Sequence, residues 1–422
     1  MHFKKKILKN GLRIVAVPIK DSPSVTVMSM VEAGSEYEDK SVNGISHFLE
    51  HMCFKGTSNR PKSIDISKEF DSMGAQNNAF TTYEFTGYWG KAHSKHTDKI
   101  LDIIADMYLN PTLPEAELEK EKGVITEEIN MYEDLPKMHV EEVFDSLLYG
   151  DQPAGRSVLG PKENIKRMKR NDFVDYRKTH YVASKTVIVV AGRIDPGAIF
   201  KKVEKAFKTA NRGKVVRKKR VVEKQSNPAI KIEHKDTDQA HLIIGVRTFD
   251  LFDKRMPALK VLSTILGTGM SSRLFQKMRE ELGICYYTKS EIKEFTDHGS
   301  LMISAGVDKT RINIGVSSIL EEIKRIRDEK VPEHELQKAK DCMIGNMYLG
   351  LESSDALAGF FGVQEILREK IKTPAEIEKE IRKVTSNDVQ NLAKQIMRND
   401  RLNLAIVGKP ENDVQLKKIL KV

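Results

Sequence analysis

A chain of 422 residues that is 40 % hydrophobic and 31 % charged can bury two or more cores, which excludes a disordered or fibrous protein. No apolar run is long enough to cross a bilayer, so no membrane partner is expected. The net charge of +10 admits an acidic partner, but the densest basic run, 214–220, lacks interleaved aromatics and reads as a solvated connector rather than a nucleic-acid site.

In chain order, the basic amino terminus resembles the start of a secretory signal. Lys9, Asn10, Gly11 and Arg13 break the apolar stretch that a signal needs. Asn10-Gly11 instead suits the turn of a hairpin between Ile7-Leu8 and residues 12–17. Cys53, Cys285 and Cys342 are too few and too scattered for a disulfide framework, so a reducing, cytoplasmic location is expected. Residues 25–31 and 85–89 have strand patterns, and 98–109 and Glu115–Asp134 have helical ones. A second set follows, with strands at 240–246 and 301–305 and helices at 256–266 and 311–329. Strands and helices do not alternate strictly. The expected class is therefore α+β, with helices packed on a mainly antiparallel sheet.

The chain also repeats itself. Pro-Glu-Ala-Glu-Leu-Glu-Lys-Glu-Lys at 114–122 returns as Pro-Glu-His-Glu-Leu-Gln-Lys-Ala-Lys at 332–340, 218 positions on. Asn171-Asp172 returns as Asn387-Asp388, 216 positions on, and strands ending at Gly192 and Gly408 share that shift. Basic helical segments at 161–170 and 374–383 precede both pairs. So long a period predicts two homologous domains, 1–208 and 229–422, joined by a polar linker at 209–228.

The chemistry concentrates in His47-Phe-Leu-Glu50-His51. One helical turn separates the histidines, so both imidazoles leave one face and can bind one ion. Glu50 is placed to serve water on that ion as general base, and Phe48, Leu49 and Met52 face the core. This is the inverted form of His-Glu-x-x-His, with zinc as the expected ion, one per chain. A catalytic zinc needs a third protein ligand. On the helix Glu115–Asp134, Glu121 and Glu128 share a face with Ile125 and Tyr132. Glu128 is favoured as ligand and Glu121 as its neighbour supporting the site, with Glu127 in reserve. The 218 shift carries Glu121 to Ala339 and Glu128 to Asn346, and the second half has no His-x-x-Glu-His. Carboxylates and histidines are lost together, as expected of one site.

With these residues assembled, the chain resembles the pitrilysin/insulinase family of inverzincin peptidases, in the short bacterial branch similar to mitochondrial processing peptidase. The resemblance runs from about residue 6 to 410. It rests on Asn43-Gly-Ile-Ser-His47 through Thr57, Asn78-Ala-Phe-Thr81, Glu121 through Glu128, and Ser271-Ser-Arg-Leu-Phe-Gln-Lys-Met-Arg279 through Tyr286. It implies two similar α+β domains per subunit, a homodimer enclosing a chamber, and extended peptides as substrate. It further implies that Asn78, Ala79 and Phe80 belong to an edge strand that pairs with substrate backbone. Tyr286 would hydrogen-bond the oxyanion while Arg279 holds the peptide. Cys53 stands where relatives carry an apolar residue and is taken as packing. The rival reading is a non-catalytic assembly subunit of the same fold. The presence of His47, Glu50, His51 and Glu128 together argues against it.

Overall fold

In the computed structural model, which describes residues 2–367, 370–410 and 413–422, the Asn10-Gly11 turn joins two antiparallel strands, β1 (Lys4–Ile7) and β2 (Arg13–Pro18). Four more strands complete the first sheet: β3 (Ser24–Val31), β4 (Gln76–Thr81), β5 (Thr86–His93) and β6 (Thr186–Gly192). Their order is β1-β2-β6-β3-β5-β4, and only β2 and β6 run parallel. The second sheet holds β7 (Ala229–Glu233), β8 (Gln239–Thr248), β9 (Cys285–Glu294), β10 (Gly299–Asp308) and β11 (Asn403–Val407) in the order β7-β11-β8-β10-β9. Again one pair is parallel, β7 with β11. Apart from the extra β1, the two sheets repeat one topology, as the duplication requires. The class is α+β.

The repeat reaches single residues. Gly192 and Gly408 end the equivalent strands β6 and β11 with φ of +137° and +155°. A Cβ on Gly192 would meet the Ser24 carbonyl at 2.3 Å, and one on Gly408 would meet Ala240 at 2.8 Å. Ser24 and Ala240 are themselves 216 positions apart. Left-handed backbone and close approach both demand glycine there.

Residues close-packed with one another form two units: 1–129, 157–219 and 348–374 in one, and 130–156, 220–347 and 375–422 in the other. A single cut within 209–228 does not describe them. The helix Pro136–Tyr149 packs on β8 and β11, and its repeat equivalent, Ser354–Leu367, packs on β3 and β6. Each sheet therefore takes one covering helix from the other half of the sequence. Burial on both faces explains the near-continuous apolar strands: Leu242, Ile244 and Val246 of β8 enter one core, and Ile243 enters another with Val140 and Phe144.

In the first unit the turn 57–60, which follows the helix Ile45–Met52, is tied down by charge. Buried Arg60 reaches Asp106 at 2.8 Å, Asp102 at 2.5 Å and Glu69 at 2.8 Å. Asp106, also buried, accepts further bonds from Thr57, Asn59 and Asn110. Removing the guanidinium strands a buried carboxylate, at a cost of about 3 kcal/mol. Arg60→Met should therefore lower the stability of the first unit by that amount in urea, followed through Trp89, the sole tryptophan and part of β5. A midpoint unchanged from wild type would mean the ion cluster is not what holds this turn.

Candidate metal centre

The helix Ile45–Met52 begins at Gly44, whose φ of +101° and close approach to the Leu159 carbonyl, 2.5 Å from where a Cβ would stand, exclude a side chain. Its first turn is capped from a distance. The buried carboxylate of Glu38 accepts the Gly44 N–H at 2.7 Å, the Ser46 N–H at 2.8 Å and the Asn43 side-chain amide at 2.9 Å. A negative charge at a helix N-terminus is favourable, and it spares orphan N–H groups burial without partners. Ile45, Phe48, Leu49 and Met52 anchor the helix in the core. The following Cys53 is fully buried with its thiol against the Tyr88 hydroxyl at 3.5 Å, which makes it packing.

His47 and His51 leave this helix on one face, and their Nε2 atoms approach to 3.3 Å. Oε2 of Glu128, from the helix Glu115–Asp134, lies 3.6 Å from each. Glu121, one helical stretch earlier on the same face, accepts from His51 Nδ1 at 2.9 Å, and its other oxygen takes Lys55 Nζ at 2.5 Å. Glu127 is exposed and outside the cluster. Glu50 is not part of the three-atom group either. Its carboxylate makes one hydrogen bond among the described residues, accepting from the Thr81 hydroxyl at 2.5 Å.

Electrostatics assigns the protons. Burial works to raise the Glu121 carboxyl, but the bonds from His51 and Lys55 outweigh it and hold the group below the usual range. An ionised carboxylate only accepts, so the proton on His51 Nδ1 is donated to it and Nε2 of the neutral ring presents a lone pair. Burial works to lower His51, yet Glu121, Glu128 and Glu50 together raise it. His47 is pushed down to about 3 by burial and by His51. Burial raises both Glu50 and Glu128. Once His51 and Glu128 have given up the protons these shifts favour, two imidazole nitrogens and a carboxylate oxygen converge with lone pairs between them. Donors on a tetrahedral ion with bonds of about 2.0–2.1 Å lie roughly 3.3 Å apart, so the set fits a zinc-sized cation with an open fourth position. Support is one-sided: His51 has Glu121, whereas His47 Nδ1 is buried with no partner among the described residues.

The other residues singled out from the sequence lie elsewhere. Asn78, Ala79 and Phe80 are in β4, at the open edge of the first sheet. Strand alternation puts Thr81 and Ala79 on the Glu50 side, while Asn78 and Phe80 face away. The Phe80 ring covers Gly87, 2.3 Å from where a Cβ would stand. Arg279 and Tyr286 belong to the second unit. Arg279 is in a π-helix, Phe275–Glu281, a rare form that sequence patterns do not signal. It donates to the Cys285 carbonyl at 3.2 Å and lies over the Tyr286 ring at 5.3 Å. Two further participants were not legible as such. Lys55 is one turn beyond His51, a spacing that could have exposed it. Thr81 comes from a distant strand and carried no such signal.

The pKa directions give a sign for metal binding. His51, raised, keeps its proton to a higher pH than a free imidazole, and an ion must displace that proton. His47 offers no competition near neutrality. Zinc affinity should therefore climb with pH through the His51 titration, with a proton released on binding at pH values below it. Calorimetry in buffers of differing ionisation enthalpy counts that proton. Binding with no proton release would contradict the His51–Glu121 arrangement.

Comparison with known proteins gives the family. Residues 13–162 match the family described as insulinase (peptidase family M16), and residues 167–343 match the peptidase M16 inactive domain. The uncharacterized zinc protease YmxG of Bacillus subtilis is 36 % identical, with 94 % of this chain and 96 % of that protein aligned. The uncharacterized zinc protease ML0855 of Mycobacterium leprae is 32 % identical over 95 % of this chain and 90 % of that one. Among solved structures, a protease from Helicobacter pylori superposes with a TM-score of 0.91 at 22 % identity, covering 97 % of this chain and 99 % of the other. The peptidase M16 inactive domain from Pseudomonas fluorescens gives 0.87 at 16 % identity, covering 97 % and 100 %. At those identities the two structures speak for the fold alone. With a relative this similar along nearly its whole length, the chain belongs to the insulinase family, peptidase family M16.

Proposed function

We propose that the chain is a zinc-dependent endopeptidase in which His47, His51 and Glu128 hold one ion and Glu50 moves the proton. The observation that carries this reading is the meeting of His47 Nε2, His51 Nε2 and Glu128 Oε2 within 3.6 Å, with the half-buried carboxylate of Glu50 nearby and not one of the three. Relatives named zinc protease support the ion and the reaction class. Zinc held there supplies Lewis-acid polarisation of a carbonyl and lowers the pKa of water to about 7.

The chain's own residues do the rest. Glu50, raised by burial, takes a proton from the attacking water and returns it to the leaving amine. Glu121 keeps the His51 lone pair aimed at the ion. The open edge of β4 would take an extended peptide or unfolded segment as an added strand: of Asn78, Ala79 and Phe80, the register on β5 turns the Ala79 backbone to that edge, flanked by Asn78 and Phe80. Tyr286, 73 % exposed, donates to the developing oxyanion, and Arg279 holds the peptide. Because each chain carries both residue sets, two copies form a homodimer that encloses the substrate in a chamber. Three free cysteines suit a cytoplasmic setting, and no helix among the described residues is long and apolar enough to cross a membrane.

A quenched fluorescent peptide tests the assignment. Glu50→Gln should lower kcat by about 10²- to 10⁴-fold while zinc stays stoichiometric, and His51→Ala should lose the metal as well. Tyr286→Phe should lower kcat by roughly 10²-fold with zinc retained. Near-full activity in Glu50→Gln at saturating substrate would rule out Glu50 as the base.

A further inference from the structure

Glu50 is a flexible side chain, yet a general base must hold its carboxylate in one orientation. The helix Ile45–Met52 fixes its Cα, but among the described residues only one group fixes the carboxylate: the Thr81 hydroxyl, donating to Oε2 at 2.5 Å. Of the oxygens near that hydroxyl, Glu50 Oε2 is by far the closer: the hydroxyl of Thr86, its cross-strand neighbour, stands 3.5 Å away and gives its own proton to the Ala33 carbonyl at 2.8 Å. With one oxygen held, Oε1 is left for water.

Thr81 also occupies a particular place in the strand. Thr82 N–H bonds the Phe85 carbonyl at 2.9 Å, so Thr82 and Phe85 form a hydrogen-bonded pair. In an antiparallel ladder such pairs alternate with non-bonded ones, which makes Thr81–Thr86 non-bonded. The Thr81 backbone N–H and carbonyl therefore face the open edge of β4, away from β5. One residue offers its backbone to an incoming strand and its hydroxyl to the base.

We propose that Thr81 is a positioning residue: its hydroxyl clamps one oxygen of Glu50, and its edge-facing backbone ties that clamp to a peptide paired along β4. The inference rests on the peptidase reading above for its catalytic consequence, but the clamp itself does not. Thr81→Val keeps shape and β-branching and removes only the donor, whereas Thr81→Ser restores it. In the peptide assay Thr81→Val should lower kcat by about 10- to 100-fold, with KM and zinc content unchanged. Thr81→Ser should return kcat to within a fewfold of wild type. A purely structural role would not split kcat from KM or be rescued by serine. Thr81→Val with wild-type kcat overturns the proposal.

A second measurement separates this proposal from the peptidase reading. Thermal midpoints of the metal-free wild type, Thr81→Val, Glu50→Leu and the double variant form a cycle, leucine removing the acceptor that glutamine would keep. Coupling, with the double variant losing less than the two singles combined, supports the clamp. Additive losses overturn it. A wild type that cleaves no peptide would sink the peptidase reading, and the cycle would still decide the clamp.

Discussion

Two imidazole nitrogens and a carboxylate oxygen 3.3 to 3.6 Å apart, all half-buried or better, need a proton or a cation between them. That constraint organises the first unit. The helix carrying both histidines is entered through a glycine that admits no side chain and is capped by the buried Glu38 carboxylate. It is left through a turn locked by Arg60 and Asp106. The acidic helix brings Glu128 to the two histidines and Glu121 behind His51, so in the proposed site one element would supply both a ligand and the group that orients another. Electrostatics is concentrated where a small cation would relieve it, and Lys55 already offsets the Glu121 carboxylate.

The duplication shows how such a site can be confined to one copy. Both sheets keep the same strand order, the same single parallel pair and the same left-handed glycine at the end of the equivalent strand. What differs is the chemistry placed on the scaffold. Ala339 and Asn346 stand where Glu121 and Glu128 stand in the first copy, and the second copy contributes an exposed tyrosine beneath a guanidinium instead. Stability of the fold and possession of the site are separable, because the repeated features lie in backbone and core and the divergent ones at helix faces and strand ends.

Much of this was legible in the chain. Helical spacing placed His47 and His51 on one face, and the seven-residue interval put Glu121 and Glu128 on a common face with the buried Ile125. Strand patterns were clear where both faces are buried, as in β8, and helix boundaries followed the apolar periodicity to within a residue or two. The exchange of covering helices was not legible. The pattern of 136–149 says only that one face is apolar, not which sheet it will meet. The π-helix that contains Arg279 hides for a similar reason, since its wider turn leaves no local signature. Thr81 and Glu50 are brought together only by the packing of the helix against β4, so their bond is a property of tertiary structure.

The most direct measurement is X-ray absorption at the zinc edge on the purified protein loaded with one equivalent of zinc. Two imidazole scattering paths and a carboxylate oxygen are expected at about 2.0–2.2 Å, with no sulfur contribution. Loss of an imidazole path in His47→Ala and of the carboxylate in Glu128→Gln should follow. A sulfur shell, or an all-oxygen shell with both histidines intact, would contradict a metal centre built from His47, His51 and Glu128.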